Sequence, residues 1–171
     1  MDDNLGTISL CYAVRYERTS RHSADRLWKA ISRAEEVSAW MDYPASIDLQ
    51  LGGAYFVDFS KASEGEIAGV ICRLEPGRVL GYVWGWSVCE WTIEADGDGC
   101  RYTFIQNGLA DRGEGEEGLI AGWHGFFDQL DEYLDAIPLD LARHRATWNE
   151  RKAPYRSLLR AKLPAADEAG S

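Results

Sequence analysis

The chain has 171 residues, of which 46% are hydrophobic and 12% aromatic, and its formal net charge is −10. This length suits one domain with a full core, and the apolar content excludes a wholly disordered chain. No run of 18 apolar residues and no basic, apolar leader occurs, so we expect no membrane partner, no secretory signal and a cytoplasmic location.

The distribution of charge divides the chain into two segments, and the cysteines indicate its redox compartment. Residues 1–137 carry 11 Lys and Arg against 24 Asp and Glu, whereas residues 138–163 carry 7 basic and 2 acidic side chains. We therefore expect a body at 1–137 that repels nucleic acid, and a basic C-terminal extension at 138–171. The four cysteines form no C-x-x-C pair and are typical of buried thiols in a reducing compartment, with two disulfides as the alternative.

The first elements along the chain are a strand and two short helices. Strict alternation of apolar and polar side chains predicts a β-strand over residues 8–18. Ser23 is typical of a helix N-cap, and the apolar residues after it recur at helical spacing. A second helical turn over residues 35–40 precedes Pro44, which would end it.

A meander of short strands follows. Alternating segments separated by turn signals predict strands at 47–51, 55–59, 66–74, 79–86, 89–94 and 101–107. The turn signals include Gly52-Gly53, Pro76-Gly77 and the run DGDG at 96–99. The order of strand, helices, meander and final helix predicts an α+β fold with an antiparallel sheet of about six to seven strands.

A long helix is predicted over residues 118–137, near the end of the body. Its apolar stripe consists of Leu119, Trp123, Phe126, Phe127, Leu130, Leu134 and Ile137. The carboxylates between them, Asp128, Asp131, Glu132 and Asp135, are predicted to face solvent. Gly118, Gly122 and Gly125 lie inside this pattern or at its start, and each interior glycine costs about 1 kcal/mol relative to Ala. They indicate close packing against another surface, where a Cβ would be in the way. An ordinary core helix with no cavity beneath it is the alternative.

Several segments, in this order and spacing, carry a resemblance to a known family: 24–31 (ADRLWKAI), 37–40 (VSAW), 51–55 (LGGAY), 74–78 (LEPGR), 82–84 (YVW), 99–104 (GCRYTF) and 122–123 (GW). Over about residues 12–137 the chain resembles the START-related SRPBCC superfamily, and within it the family named after the activator of the heat-shock protein 90 ATPase. The resemblance implies a helix-grip fold, in which a curved antiparallel sheet wraps round the long helix. It implies less about function, because the superfamily includes carriers, cyclases and co-chaperone domains.

Aromatic side chains on the faces that should look toward the long helix suggest a binding site. The candidate lining is Trp40, Tyr55, Phe59, Trp84, Trp86, Trp91, Tyr102, Phe104, Trp123, Phe127 and Leu130. Such a wall suits a small, flat, apolar or aromatic ligand, although the rings could instead simply fill the core. The sequence has no metal-ligand spacing, no phosphate-binding loop and no activated cysteine, so we expect no metal, no cofactor and no catalytic residue.

Two polar residues accompany this lining. Gln106 shares the strand parity of Tyr102 and Phe104, so its amide should point inward and need partners, of which a ligand could be one. Many relatives have a histidine there. His124 lies at the edge of the apolar stripe, where it could serve at a pocket rim or be a surface histidine. The glycine-rich, acidic segment 108–118 suits a mobile lid or a plain loop.

The basic extension carries its own apolar residues. Trp148, Tyr155 and the pair Leu158-Leu159 punctuate a helical pattern that we expect Pro154 to break. The segment could pack on its own acidic body, on a second subunit in a homodimer, or on an acidic partner. We expect docking held mainly by apolar contact, because burying such side chains outweighs surface ion pairs.

Three functions follow from these observations. The first is binding of a small hydrophobic or aromatic molecule between the long helix and the sheet. The second is a protein-interaction or co-chaperone-like role of the kind that the family resemblance implies. The third is a cyclase- or hydrolase-like activity in the same cavity, using Gln106, His124 or a tyrosine as its polar group. A roomy cavity would favour the first and third, and an exposed apolar patch would favour the second.

Overall fold

A seven-stranded antiparallel sheet in the order β1-β7-β6-β5-β4-β3-β2 forms the frame of the protein. The computed structural model describes residues 12–62, 65–109 and 116–162. The elements are β1 Tyr12–Ser20, α1 Ala24–Ser32, α2 Ala34–Met41, β2 Ala45–Ile47, β3 Ala54–Phe59, a 3₁₀ turn Ser60–Ala62, β4 Gly65–Glu75, β5 Val79–Trp84, β6 Ser87–Asp96, β7 Gly99–Leu109, α3 Glu116–Leu134 and α4 Leu141–Lys162. The start of the predicted first strand, 8–11, and most of segment 108–118 lie outside the described residues.

The sheet wraps round α3, so the helix-grip architecture predicted from the sequence is confirmed. The alternation of side chains sends one set of residues from β3 and from β5 to β7 inward, where they meet α1, α2 and α3 in one core. The predicted N-cap is also confirmed, since the Ser23 hydroxyl accepts a hydrogen bond from the Arg26 amide at 3.2 Å. Helix α2 ends where Asp42 adopts a left-handed conformation with φ of 61°.

Two predicted strands are shorter in the structure. The segment predicted at 47–51 contributes only the end of β2, because the chain turns after Asp48. Strand β5 ends at Trp84 rather than at Trp86. Gly85, with φ of 58°, and Trp86 form a two-residue turn, and Trp84 pairs directly with Ser87. A positive φ at the first turn position is typical of a type II′ hairpin, which suits the twist of the flanking strands.

The middle of helix α3 has the predicted buried stripe, but the two end members of that stripe are exposed. Leu119 is 38% exposed and Ile137 is 48% exposed, so neither belongs to the buried stripe. Ile137 lies outside the helix because the chain leaves it after Leu134, and Ala136 then takes a positive φ of 55°. The prediction that Asp128 faces solvent is wrong, since this carboxylate is half-buried between Arg18 of β1 and Arg151 of α4.

Helix α4 runs back along the outer side of α3. It continues through Pro154, so the predicted break is wrong. Contacts to α3 on both sides of the proline hold the helix together: Arg151 pairs with Asp128, and Arg156 pairs with Glu117 at 2.7 Å. Of the three expected packing partners, the structure therefore shows the chain's own body.

The contacts of α4 combine polar and aromatic groups. The Trp148 indole N–H donates to the Gly118 carbonyl at 2.9 Å, and Arg143 and His144 both bind Glu132. Leu158 is 56% exposed, so it takes no part in the packing that the sequence predicted for it. A Cβ at Gly118 would meet the Trp148 ring at 3.6 Å, an ordinary contact distance. The expectation that a side chain there would be in the way is therefore wrong.

Candidate ligand site between the long helix and the sheet

Eleven of the thirteen residues proposed for the site lie between α3 and the inner face of the sheet, at 0–7% exposure. They are Trp40, Tyr55, Phe59, Trp84, Trp91, Tyr102, Phe104, Gln106, Trp123, Phe127 and Leu130. Strand register brings them together; for example, Trp91 of β6 stands opposite Phe104 of β7. The period-two pattern predicted the inner face for the members that lie on strands, and helical spacing predicted it for those of α3.

The other two proposed residues lie elsewhere. Trp86 is 83% exposed in the β5–β6 turn, so its assignment to the lining is wrong. The alternation of β5 continues through it in the sequence, but the turn at Gly85 takes it away from the inner face. His124 points from α3 toward α4, and its Nδ1 lies 2.7 Å from the Tyr155 hydroxyl. It therefore occupies a helix junction rather than a pocket rim.

Trp123 lies at the centre of the interior. Its ring centroid is 4.3 Å from that of Phe104, 5.4 Å from that of Trp84 and 5.9 Å from that of Phe127. Further along the sheet, the Tyr55 and Tyr82 rings stack with centroids 3.9 Å apart. These rings contact one another as in a packed protein interior, so a ligand must displace or rotate a ring to enter among them.

A chain of hydrogen bonds crosses one end of this aromatic interior. The Trp123 indole N–H donates to Gln106 Oε1 at 2.8 Å, and Gln106 Nε2 donates to the Ser87 hydroxyl oxygen at 3.0 Å. Gln106 is fully buried and points inward, as its strand parity predicts. Its amide finds two partners within the protein, which meets the requirement that buried amides be hydrogen-bonded. Ser87 was missed in the sequence analysis; its only signal was that it shares the inward parity of Cys89 and Trp91.

Two buried tyrosines of the interior, Tyr82 and Tyr55, are neutral and take part in hydrogen bonds. The Trp91 indole N–H donates to the Tyr82 hydroxyl at 3.2 Å, and the Tyr55 hydroxyl donates to the Ile31 carbonyl at 3.4 Å. Burial raises the pKa of both phenols, that of Tyr82 to well above its usual range. Neither phenol is therefore available as a base near neutral pH.

An ion cluster closes the opposite end of the interior. Arg18 of β1 binds Asp128 at 3.0 Å and Asp131 at 3.2 Å, and its guanidinium lies 5.4 Å from the centre of the Phe127 ring. Burial opposes ionisation of Asp128, but hydrogen bonds from Arg151 and Arg18 dominate and lower its pKa. Two residues that the sequence analysis assigned to solvent thus tie β1, α3 and α4 together.

His124 takes part in a second junction between the same three elements. The Tyr16 hydroxyl of β1 donates to the Ile120 carbonyl of α3 at 2.7 Å, and the Tyr16 ring packs edge-on against His124. Tyr155 of α4 covers the other side of the imidazole. The imidazole is therefore enclosed among aromatic rings and near two guanidinium groups, a setting that disfavours its charged form.

Lowering the pH from 7.5 to 5.5 is expected to destabilise this junction. Burial, aided by Arg151 and Arg18 and opposed by Asp128, lowers the pKa of His124. Because the folded pKa lies below the unfolded value of about 6.5, this contribution to stability is complete above that value and is lost as the pH falls toward the folded pKa. Urea unfolding at both pH values should show a smaller loss in His124→Gln than in the wild type. Equal losses in the two proteins would contradict this assignment.

The described residues were also searched for metal sites and for membrane-spanning helices. Within 12–62, 65–109 and 116–162, no group of three His, Cys, Asp or Glu side chains is placed to hold a metal ion. In the same part of the chain, no helix is long and apolar enough to cross a membrane.

The sequence profile of one family matches the part of the chain that builds this interior. The family is described as Activator of Hsp90 ATPase homolog 1-like protein, and the match covers residues 21–135. The chain belongs to this family. The match confirms the resemblance drawn from the sequence, and it ends before α4, so this helix is an addition to the matched family region. No curated protein matches the sequence significantly.

Solved structures similar to this family member share its fold at low sequence identity. The protein encoded by gene BPP1335 of Bordetella parapertussis has a TM-score of 0.70 and 20% identity, with 96% of this chain and 93% of that chain covered. CalU16 from Micromonospora echinospora has a TM-score of 0.69 and 19% identity over 88% and 89% of the two chains. Protein MLL2253 from Mesorhizobium loti has a TM-score of 0.67 and 22% identity over 75% and 100%. At these identities the likeness extends to the fold alone.

Proposed function

We propose that this family member binds a small apolar or aromatic molecule between α3 and the inner face of the sheet. The observation that carries the proposal is the aromatic interior around Trp123, with a polar chain reaching Ser87 at one end. Ligand sites in proteins are typically lined by apolar and aromatic side chains with a few placed polar groups. Rings that contact one another by their faces and edges can exchange one such contact for a contact with a flat guest.

The polar groups of the interior favour binding over acid–base catalysis. General acids and bases work best when their pKa lies near the operating pH. Burial raises the pKa of Tyr55 and Tyr102 and, well above its usual range, that of the Cys89 thiol. Ser87 and Gln106, which are hydrogen-bonded to each other at the end of the interior, are neutral. We therefore favour a carrier or sensor of a ligand over a cyclase or hydrolase.

Titration with N-phenyl-1-naphthylamine, whose fluorescence rises in apolar surroundings, tests the proposal. We expect saturable one-to-one binding with a blue-shifted emission, because the flat probe can contact the rings around Trp123. The β5–β6 hairpin supplies a matched pair of variants: Trp84 is 7% exposed and faces the interior, whereas Trp86 is 83% exposed. Trp84→Phe should weaken binding several-fold, since it removes part of an aromatic contact, and Trp86→Phe should leave it unchanged. Absence of saturable binding, or sensitivity to Trp86 alone, would overturn the proposal.

A contact with another protein is the second candidate function. It is favoured by the exposure of two apolar side chains near the hairpin tip, Trp86 at 83% and Val88 at 38%. Exposed aromatic residues of this kind are frequent anchors of protein interfaces. The family description makes the ATPase of heat-shock protein 90 the natural assay. If this candidate is correct, the chain stimulates that ATPase and Trp86→Ala abolishes the stimulation.

Two further proposals concern the cellular location of the protein and its oligomeric state. We place the protein in the cytoplasm, which is supported by free thiols at Cys72, Cys89 and Cys100. A homodimer through the outer side of α4, where Leu158 is exposed, also remains a proposal. Light scattering after gel filtration would distinguish a monomer from a dimer.

A further inference from the structure

The hydrogen-bond chain at the end of the interior has a fixed direction. An indole N–H can only donate, so the Gln106 atom 2.8 Å from Trp123 Nε1 must be the amide oxygen. The other end of the amide is then the NH₂ group, which also can only donate. The Ser87 oxygen, 3.0 Å from it, therefore accepts. Trp123 thus determines the role of Ser87 through Gln106.

This direction leaves the Ser87 proton for another acceptor. A hydroxyl group has one donor and can accept as well, and here its accepting side is already used by Gln106. Within the described part of the chain, the Ser87 hydroxyl donates no hydrogen bond. Ser87 is only 7% exposed. A nearly buried donor that finds no acceptor among residues 12–62, 65–109 and 116–162 favours an acceptor atom brought by a bound molecule.

The surroundings of Ser87 specify what else that molecule must contain. Ser87 pairs with Trp84 across the β5–β6 hairpin, and the Trp84 ring lies 5.4 Å from that of Trp123. The Trp123 ring also contacts the Phe104 ring, with centroids 4.3 Å apart. The hydroxyl therefore lies beside an aromatic cluster, at the end of the interior that the hairpin turn borders. An aromatic body among these rings would bring an attached acceptor to the hydroxyl.

We propose that the Ser87 hydroxyl is a specificity-determining donor for a neutral carbonyl oxygen attached to an aromatic or flat apolar ring system. The three hydrogen-bonded side chains Trp123, Gln106 and Ser87 are uncharged. A carboxylate bound to them would lose its hydration without gaining a cation from these three side chains. A neutral ketone, aldehyde or ester therefore suits the position better. The proposal rests on the proposed function and narrows its ligand class.

A pair of isosteric probes tests the inference directly. 2-Acetylnaphthalene carries the carbonyl oxygen, and 2-isopropenylnaphthalene has a CH₂ group in its place. Calorimetry gives the dissociation constant of each probe. The ratio of the two constants cancels the apolar contribution that both probes share. We expect Ser87→Ala to reduce the preference for the ketone about five-fold, as for the loss of one neutral hydrogen bond. Ser87→Thr, which keeps a hydroxyl, should retain the preference.

The possible outcomes separate this inference from the proposed function. If both probes bind and the ratio is the same in wild type and Ser87→Ala, the carbonyl inference is wrong while ligand binding stands. If neither probe binds the wild type, both fail. Should Ser87→Ala not fold, the carbonyl stretching band of the ketone bound to wild type decides, because hydrogen bonding lowers its frequency. A band at the position found in hexane would overturn the inference.

Discussion

Replacing Trp123 with Ala is expected to lower the free energy of unfolding by about 3–5 kcal/mol, the usual range for truncating a buried Trp. Trp123 is 3% exposed and packs against Phe104, Trp84 and Phe127. Its removal also takes the donor from Gln106 Oε1, which would then lie buried without a partner. Urea denaturation followed by circular dichroism measures the change.

Two variants serve as controls for this prediction. Trp86→Ala changes the same residue type at an exposed site and should alter stability by less than about 0.5 kcal/mol. Trp123→Phe keeps an aromatic ring but loses the indole N–H, so it should cost about 1–3 kcal/mol for the unsatisfied amide oxygen. If Trp123→Ala were no more destabilising than Trp86→Ala, the central position of Trp123 would be wrong.

Ending the chain at Ile137 is expected to lower stability by about 3–5 kcal/mol and to reduce solubility. The truncation removes the partly buried Trp148 and Tyr155 from α3, and burial of such side chains contributes roughly 1.5–3 kcal/mol each when complete. It also leaves Glu117, Asp128 and Glu132 without their α4 partners.

High salt and the variant Leu158→Ser serve as controls for the truncation, because each should affect stability much less than removal of α4. The Arg151–Asp128 pair is about three-quarters buried on both sides, so about 0.5 M salt should weaken it far less than it weakens an exposed pair. Leu158→Ser alters an exposed position of α4 and should leave the melting temperature unchanged. A truncated chain with the melting temperature of the full chain would show that α4 contributes nothing to the fold.

Local periodicity predicted most of the frame. The inward residues of β6 and β7 and the buried stripe of α3 each follow from spacing within one element, because burial of one face imposes that spacing. Gln106 is the clearest case, since strand parity alone predicted its inward direction and its need for partners. The identity of one partner, Ser87, depended on the pairing of β6 with β7, which places Cys89 opposite Gln106 and Ser87 nearby.

The wrong predictions at Asp128 and Pro154 come from contacts between distant parts of the chain, and the one at Trp86 comes from a turn. Asp128 has the sequence context of a solvated helix residue, but it lies half-buried between Arg18, 110 positions away on β1, and Arg151 of α4. Trp86 continues the alternation of β5 in the sequence, but it is the second residue of the two-residue turn in which the chain reverses. Pro154 breaks most helices, yet pairs on both sides bind α4 to α3. The partners of Asp128 and of α4 cannot be read from local spacing.

The most direct test of the proposed function locates the bound probe. The ¹H–¹⁵N spectrum of the protein should show seven indole signals, one for each Trp, which variants such as Trp84→Phe assign. On titration with N-phenyl-1-naphthylamine, we predict that the Trp84 and Trp123 signals shift most and that Trp148, on the outer side of α3, does not move. Shifts confined to Trp86 and Trp148, or no shifts at all, would contradict ligand binding between α3 and the sheet.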